Sequence, residues 1–336
     1  MGTPTWWLTI KTLMEVKLFL KEVYSQLPLK NHSEDNFYMF LKHTLEEYTN
    51  SMSKIDKKDI SLVLSDGDSP SFKSTYTLQR LINLIIKINK DILEVLALRY
   101  KGDVFNSSSL LYKVLFNQKY SRYLVEEYSG YFKFDKTERT FYRMRDAKVL
   151  KEDKTENIVE NCWHVPYNNR AYAYSGRYSM PSFPALYLGN TKQTCVAELG
   201  QLKKGYRRWV SRFDCKSSIW LFDLRVHSAE DIDGSSLYEQ LCYLITYPVI
   251  AACTAERSSK NSDEEYFFPQ LLFHLLLLTR NVEKYHQGVI YSSTKIKGGE
   301  NIVIPATYEE TEPPKDGYSE KLKNIFEVST PEVYQV

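Results

Sequence analysis

The sequence predicts an α+β protein: an N-terminal α-helical bundle over residues 1–130, a mixed helix-and-strand domain over 131–308, and a polar C-terminal tail over 309–336. Two changes of texture and one composition argument predict it. In the first stretch, apolar residues recur every three or four positions, which gathers them on one face of a helix. Beyond Gly130, Pro, Gly and Ser become frequent and the apolar runs shorten to strand length. Hydrophobic residues make up 43% and charged residues 26% of the chain, an ordinary globular mix that can bury a sizeable core and excludes long disorder.

The elements follow in order. Leu13, Val16, Leu20, Val23, Tyr24 and Leu27 share one helix face, and Pro28 ends that helix. Similar spacing predicts helices over Phe37–Tyr48, Leu78–Leu98 and Leu110–Leu124, with turn chemistry in Ser65-Asp66-Gly67-Asp68-Ser69-Pro70. In the second half, Ala185–Leu188, Ile219–Phe222 and Val289–Tyr291 read as strands. Glu264–Arg280 reads as a core helix, because its apolar surface is nearly continuous. The stretch from Glu309 through Pro313-Pro314 to Val336 reads as an extended or loosely packed tail.

Charge narrows the function classes. Lys and Arg total 44 against 42 Asp and Glu, so the formal charge of +2 offers no field suited to nucleic acid or an anionic membrane. The most apolar stretch, Phe267–Leu278, is interrupted by Gln270 and His274 and falls short of the ~20 residues a membrane span requires. The cysteines Cys162, Cys195, Cys215, Cys242 and Cys253 are odd in number and form no C-x-x-C pair, which predicts reduced thiols in a cytoplasmic protein with neither a disulfide framework nor a zinc ribbon. The aromatic share of 14%, with 26 Tyr and 16 Phe, leaves room for ring stacking on a ligand.

The G-x-S-x-G elbow, the Walker loop, the H-E-x-x-H helix and the G-x-G-x-x-G turn are all missing from the sequence. His32, His43, His164, His227, His274 and His286 are scattered singly, with no i, i+4 pair, so no metal site is predicted. Chemistry-bearing residues concentrate between Phe141 and Glu198. Arg143 and Arg145 lie among aromatics in Phe141-Tyr142-Arg143-Met144-Arg145, Arg170 ends the run from His164, and Arg177 opens Arg177-Tyr178-Ser179. Arginines arriving from separate loops converge on a diphosphate or form surface ion pairs, and spacing alone weighs the two equally. Glu198 lies on the apolar stretch Val196–Leu199, read as the start of a helix, where an unpaired carboxylate would be costly and an arginine ion pair is the simplest partner.

These runs resemble the RES-domain family, which includes NAD-degrading toxins of bacterial toxin–antitoxin pairs. The resemblance is carried by FYRMR at Phe141–Arg145, HVPYNNR at His164–Arg170, GRYSMPSFPALYLGNT at Gly176–Thr191 and Glu198. It continues through EYFFPQLL at Glu265–Leu272, GVIYSS at Gly288–Ser293, then Asn301 and Pro305. It implies an ADP-ribosyltransferase-like α/β fold over 131–308 that splits the nicotinamide–ribose bond of NAD, with water or inorganic phosphate as acceptor, NAD as substrate and no resident cofactor. By motif, the catalytic candidates are Glu198, Arg177 and Ser293. The substrate-binding candidates are Arg143, Tyr187, Tyr178, Arg170, Asn301 and Ser292, the last a less favoured alternative to Ser293. Where the family has a Pro-Gly before the aliphatic strand, this chain has Pro181-Ser182.

The residue types suit that chemistry. Cleaving a glycosidic bond to cationic nicotinamide builds positive charge on the ribose, so a fixed carboxylate beside C1 stabilises the transition state more than the ground state. Arg143 and Arg177 would hold the diphosphate, Tyr187 would offer a ring face to nicotinamide, and Ser293 would hydrogen-bond the ribose or a phosphate oxygen. Two other readings stay open: mono-ADP-ribosyl transfer to a protein acceptor, and a catalytically silent interaction module. The N-terminal residues are expected to sense, restrain or dimerise, with an antitoxin or regulatory protein and a homo-oligomer as expected partners.

Overall fold

The computed structural model describes residues 5–30, 36–55, 61–64, 74–116, 134–148, 162–256, 264–278, 287–308 and 312–334. The Ser65–Pro70 turn, the ends of the Leu110–Leu124 and Glu264–Arg280 helices, and His32 and His286 lie outside them. Helix and sheet are mixed in an α+β arrangement. The chain forms two compact units, each assembled from two segments: residues 1–132 with 226–268, and residues 133–225 with 269–336. Among the described residues no helix is long and apolar enough to cross a membrane.

The first unit holds α1 (Thr5–Ser25), α2 (Phe37–Met52), the antiparallel pair β1 (Ser61–Leu64) and β2 (Ser74–Thr77), α3 (Leu78–Tyr100) and α4 (Val104–Phe116). The predicted faces are the buried ones: Val16, Leu20, Val23 and Tyr24 on α1, and Leu81, Ile82, Ile85, Ile88, Ile92, Val95 and Leu96 on α3. A domain ending at residue 130 nevertheless omits part of this unit. Two later helices, α6 (Ala229–Gly234) and α7 (Leu237–Thr254), belong to it. Leu244, Ile245, Val249, Ile250 and Ala251 of α7 are all buried, so that helix needs apolar partners on most of its surface. Helices α1 and α3 pack against it, and α2 reaches it through Tyr48. The Tyr24 hydroxyl donates to the Tyr243 carbonyl at 2.9 Å, the Tyr48 hydroxyl donates to the Leu244 carbonyl at 2.7 Å, and the Tyr48 and Tyr247 rings stack at 4.3 Å.

The second unit is built on a sheet whose strands run in the order β10-β6-β4-β5-β9-β8-β7-β3, with β11 also paired to β6. The strands are β3 (Phe134–Thr137), β4 (Thr140–Lys148), β5 (Ala185–Gly189), β6 (Tyr206–Cys215), β7 (Ile219–Leu224), β8 (Gly288–Ser292), β9 (Glu300–Pro305), β10 (Phe326–Val328) and β11 (Glu332–Val333). Among the described residues only the β7–β8 pair is parallel. Side chains alternate between the faces of a strand, so the register sorts residues into two layers. One layer holds Phe141, Leu186, Leu188, Phe213, Ile290, Ile302 and Ile304 with Cys162 and Tyr167. The other holds Met144 and Val210, covered by Cys195 and Val196 of α5 (Lys192–Leu199).

The C-terminal residues are part of this unit and not a loose tail. Leu322 and Ile325 of α9 (Glu320–Ile325) and Phe326 of β10 are buried in the first layer, and β10 pairs with β6. The His164 ring holds the segment in place: its Nε2 accepts from the Ser319 amide at 2.9 Å, so the proton sits on Nδ1, which donates to the Val165 carbonyl at 2.7 Å. Burial pulls His164 down to about 4, which keeps that ring neutral.

Candidate active site

Glu198 sits in the last turn of α5, not at its start. Thr191 caps that helix, its side chain accepting from the Thr194 amide at 3.0 Å, and Gly200 ends it at φ 70°, a left-handed conformation that favours glycine. The helix start is tied to β9: Asn190 Oδ1 accepts from Thr194 Oγ1 at 2.8 Å and from the Glu300 amide at 3.0 Å. Its body lies close on β5, because Gly189 has no side chain; a Cβ there would stand 2.9 Å from Cys195 Sγ.

A carboxylate at a helix C-terminus faces the negative end of the dipole and needs donors. Among the described residues Glu198 has two, both neutral. Ser293 Oγ donates to Glu198 Oε1 at 2.7 Å, and Asn301 Nδ2 donates to the same oxygen at 2.6 Å. The expected arginine ion pair is not formed among the described residues, and Glu198 is exposed, not partly buried. Ser293 follows β8, its amide donating to the Gly299 carbonyl at 2.8 Å, and Asn301 is on β9 opposite Gly189. Tyr291 also pairs with Asn301, whereas Ser292 pairs with Glu300. Alternation therefore turns Ser292 to the other face, and Ser293 is the hydroxyl that reaches the acid.

Tyr187 shares the Gly189–Asn301 face, two residues before Gly189. Its hydroxyl donates to Ser179 Oγ at 3.0 Å and accepts from the Tyr178 amide at 3.2 Å. These bonds bring the 175–179 loop, with half-buried Arg177 at its centre, to the face that carries Asn301 and Glu198. Tyr178 itself is fully buried, its ring 4.7 Å from that of Tyr291, so it packs the floor and offers no face to a ligand.

Arg143 and Arg170 are held by other contacts. Arg143 pairs with Ser211 two positions beyond the Phe141–Phe213 pair, which places it in the Phe141 layer, opposite the one that α5 covers. Its Nη1 donates to the Tyr187 carbonyl at 3.0 Å while its enclosed Nε lacks a hydrogen-bond partner. Burial, then the like charge of Arg145, pulls this guanidinium down to about 9. Arg170 is exposed, with Nε donating to the Tyr167 carbonyl at 3.1 Å.

One polar side chain of the EYFFPQLL run, given no role by the motifs, bears on this site. Gln270, buried on α8 (Glu264–Leu278), donates through Nε2 to Ser175 Oγ and the Gly176 carbonyl, each at 2.9 Å. The signal for it was present, since Gln270 interrupts an otherwise apolar helix surface directly after Pro269. Among the described residues, no group of three or more His, Cys, Asp and Glu could hold a metal ion.

The chain is 27% identical over 217 residues to a protein of Bacillus subtilis (strain 168) described as "Putative toxin YopC", a match covering 58% of this chain and 46% of that protein. This chain thus spans less than half the length of that relative. No solved structure matches it. The segment that carries Arg177, Tyr187, Glu198, Ser293 and Asn301 also has a family match: residues 158–317 match the RES domain, as the sequence motifs implied.

Proposed function

We propose that the protein is an NAD-consuming enzyme that cleaves the nicotinamide–ribose bond, a glycohydrolase or phosphorylase acting as a toxin or defence effector. The observation that carries this reading is the asymmetric seating of Glu198. One carboxylate oxygen takes both protein donors, Ser293 and Asn301, while Oε2 of the exposed side chain has no hydrogen-bond partner among the described residues. A carboxylate held in this way has one fixed oxygen and one directed outward, the arrangement suited to a sugar carbon that gains positive charge.

In the proposed reaction the C1–N bond of the ribose breaks and its electron pair leaves with neutral nicotinamide. Oε2 of Glu198 stabilises the cationic sugar, and an oxygen of water or inorganic phosphate then bonds to C1, releasing a proton where the acceptor was protonated. Arg177, carried on the loop beside Tyr187, grips the diphosphate and so holds C1 within reach of the acid. Arg143 keeps β5 in place through the Tyr187 carbonyl, which steadies the strand that carries Tyr187. The RES match and the toxin description of the Bacillus relative support drainage of a cell's NAD as the consequence, restrained in that setting by an antitoxin.

The test is chromatography of NAD incubated with the purified protein, with and without phosphate. Free nicotinamide is expected with no protein acceptor present, and a phosphorylated ADP-ribose product in the phosphate arm marks a phosphorylase. Nicotinamide release that requires an added protein acceptor would replace this reading with ADP-ribosyl transfer, and no release under any condition would refute the enzymatic assignment.

A further inference from the structure

Five residues ahead of β5, the loop bearing Arg177 is closed on itself and pinned at two points. The Gly176 amide donates to the Ser179 carbonyl at 2.9 Å, which brings the ends of the four-residue segment together around Arg177 and Tyr178. From the sheet, Tyr187 binds Ser179 Oγ and the Tyr178 amide. From the helix, Gln270 Nε2 donates to Ser175 Oγ at 2.9 Å, to the Gly176 carbonyl at 2.9 Å and to the Ser179 carbonyl at 3.3 Å. A primary amide has two N–H donors, so the two shorter bonds use them fully and the third contact is shared. The space is tight as well: a Cβ on Gly176 would lie 2.8 Å from the Tyr187 hydroxyl and 2.9 Å from Ser179 Oγ.

A glutamine with 8% exposure on an apolar helix is costly unless its amide is satisfied, and here the partners that satisfy it are all in this loop. We infer that Gln270 is a positioning residue for the substrate's diphosphate: it fixes the 175–179 loop so that Arg177 meets the anion in a single preset geometry. Gln270 touches neither substrate nor reacting atoms and acts through Arg177. The inference rests on the proposed NAD reaction for its catalytic consequence, while the pinning of the loop stands on the geometry alone. A preorganised guanidinium loses less freedom on binding, so removing the pin weakens ground-state and transition-state binding alike and appears in KM.

The experiment uses the full chain with Gln270→Ala and with Gln270→Met, which keeps the volume in the helix face and guards against misfolding. Hydrogen exchange of the peptide covering 175–179 is expected to rise on the order of tenfold in both variants, the scale set by one lost hydrogen bond. KM for NAD is expected to rise on the order of tenfold with kcat nearly unchanged, and Gln270→Ala is expected to add nothing in an Arg177→Ala background. Unchanged exchange at 175–179, or an effect on KM that adds fully to that of Arg177→Ala, would overturn the inference. A wild-type protein that releases no nicotinamide refutes the NAD reading instead, and the exchange measurement still decides the role of Gln270.

Discussion

Ser293 Oγ and Asn301 Nδ2 converge on a single oxygen of Glu198, at 2.7 and 2.6 Å, so one acid is oriented from two different strands' ends. If that acid stabilises the cationic sugar, Glu198→Gln lowers kcat/KM by roughly 10²–10³ or more, the scale for losing a main electrostatic stabiliser. Ser293→Ala costs about tenfold, the worth of one hydrogen bond. Because Ser293 acts through Glu198, the double variant is expected to be no worse than Glu198→Gln alone. Steady-state nicotinamide release checks all three, with melting temperatures to confirm folding. Full additivity would remove Ser293 from this role.

Asn301 gives a sharper electrostatic test. Asn301→Asp replaces a donor at 2.6 Å with a second carboxylate, and two like charges at that distance disfavour ionisation of both. Activity that depends on ionised Glu198 then needs a higher pH. The acid limb of the rate profile is expected to move upward relative to wild type, with the lost activity partly recovered at alkaline pH. A profile of unchanged shape would show that the ionised form of Glu198 is not what the reaction uses.

Much of this site could be read from sequence, and the failures have a common physical cause. Motif order brought out Glu198, Ser293 and Asn301 because each chemistry-bearing residue sits at a strand or helix end beside a recognisable apolar run. The side of the sheet on which Arg143 lies could not be read from the motif. One step along β4 reverses the face, and only the pairing with β6 shows which face α5 covers. Helix α7 escaped notice because it is apolar nearly all round and carries Pro248, so it lacks a periodic stripe; its capping box, Ser236 with Glu239, was the available signal. The C-terminal residues looked like a tail because their few apolar side chains, Leu322, Ile325 and Phe326, gain meaning only against the sheet.

The division of the chain predicts what truncation does. A fragment beginning at Phe141 keeps α7 but removes α1 and α2, which hold it through Tyr24–Tyr243 and Tyr48–Leu244. Leu244, Ile245 and Ile250 then face water, an apolar patch that favours association. Such a fragment is expected to aggregate on expression, as size-exclusion chromatography would reveal. A monodisperse, folded fragment would contradict the assignment of residues 226–268 to the first unit. The restraining role expected of the N-terminal residues is therefore better tested by point substitutions than by deletion.

Phe326 tests the place of β10 in the core. It is 1% exposed, its ring 5.8 Å from that of Phe213, and its residue pairs with Cys215 of β6. Phe326→Ala leaves a cavity in the central layer and is expected to cost about 3–5 kcal/mol. Exposed Glu327 on the same strand serves as a control, since Glu327→Ala is expected to stay within about 0.5 kcal/mol of wild type. Denaturant titration of the full chain measures both. Equal effects would show that β10 is not part of the core.

His164 sets a pH limit on the second unit. Its folded value, pulled down to about 4, lies below the ordinary 6.5, so between those values the unfolded chain binds a proton that the native state refuses. Stability from this group is complete above pH 6.5 and is lost as the pH falls towards 4; the direction follows because the unfolded state is the more protonated one. The full difference corresponds to roughly 3 kcal/mol at 1.36 kcal/mol per unit. Protonating Nε2 would also break its bond from the Ser319 amide, the tie that seats the C-terminal segment beside Tyr167 and Tyr318. Wild type is therefore expected to lose stability steeply from pH 6.5 to 4.5, whereas His164→Gln, which cannot titrate, starts lower and falls less. Denaturant midpoints across that range, followed by tryptophan fluorescence, would show parallel slopes if His164 were not the titrating group.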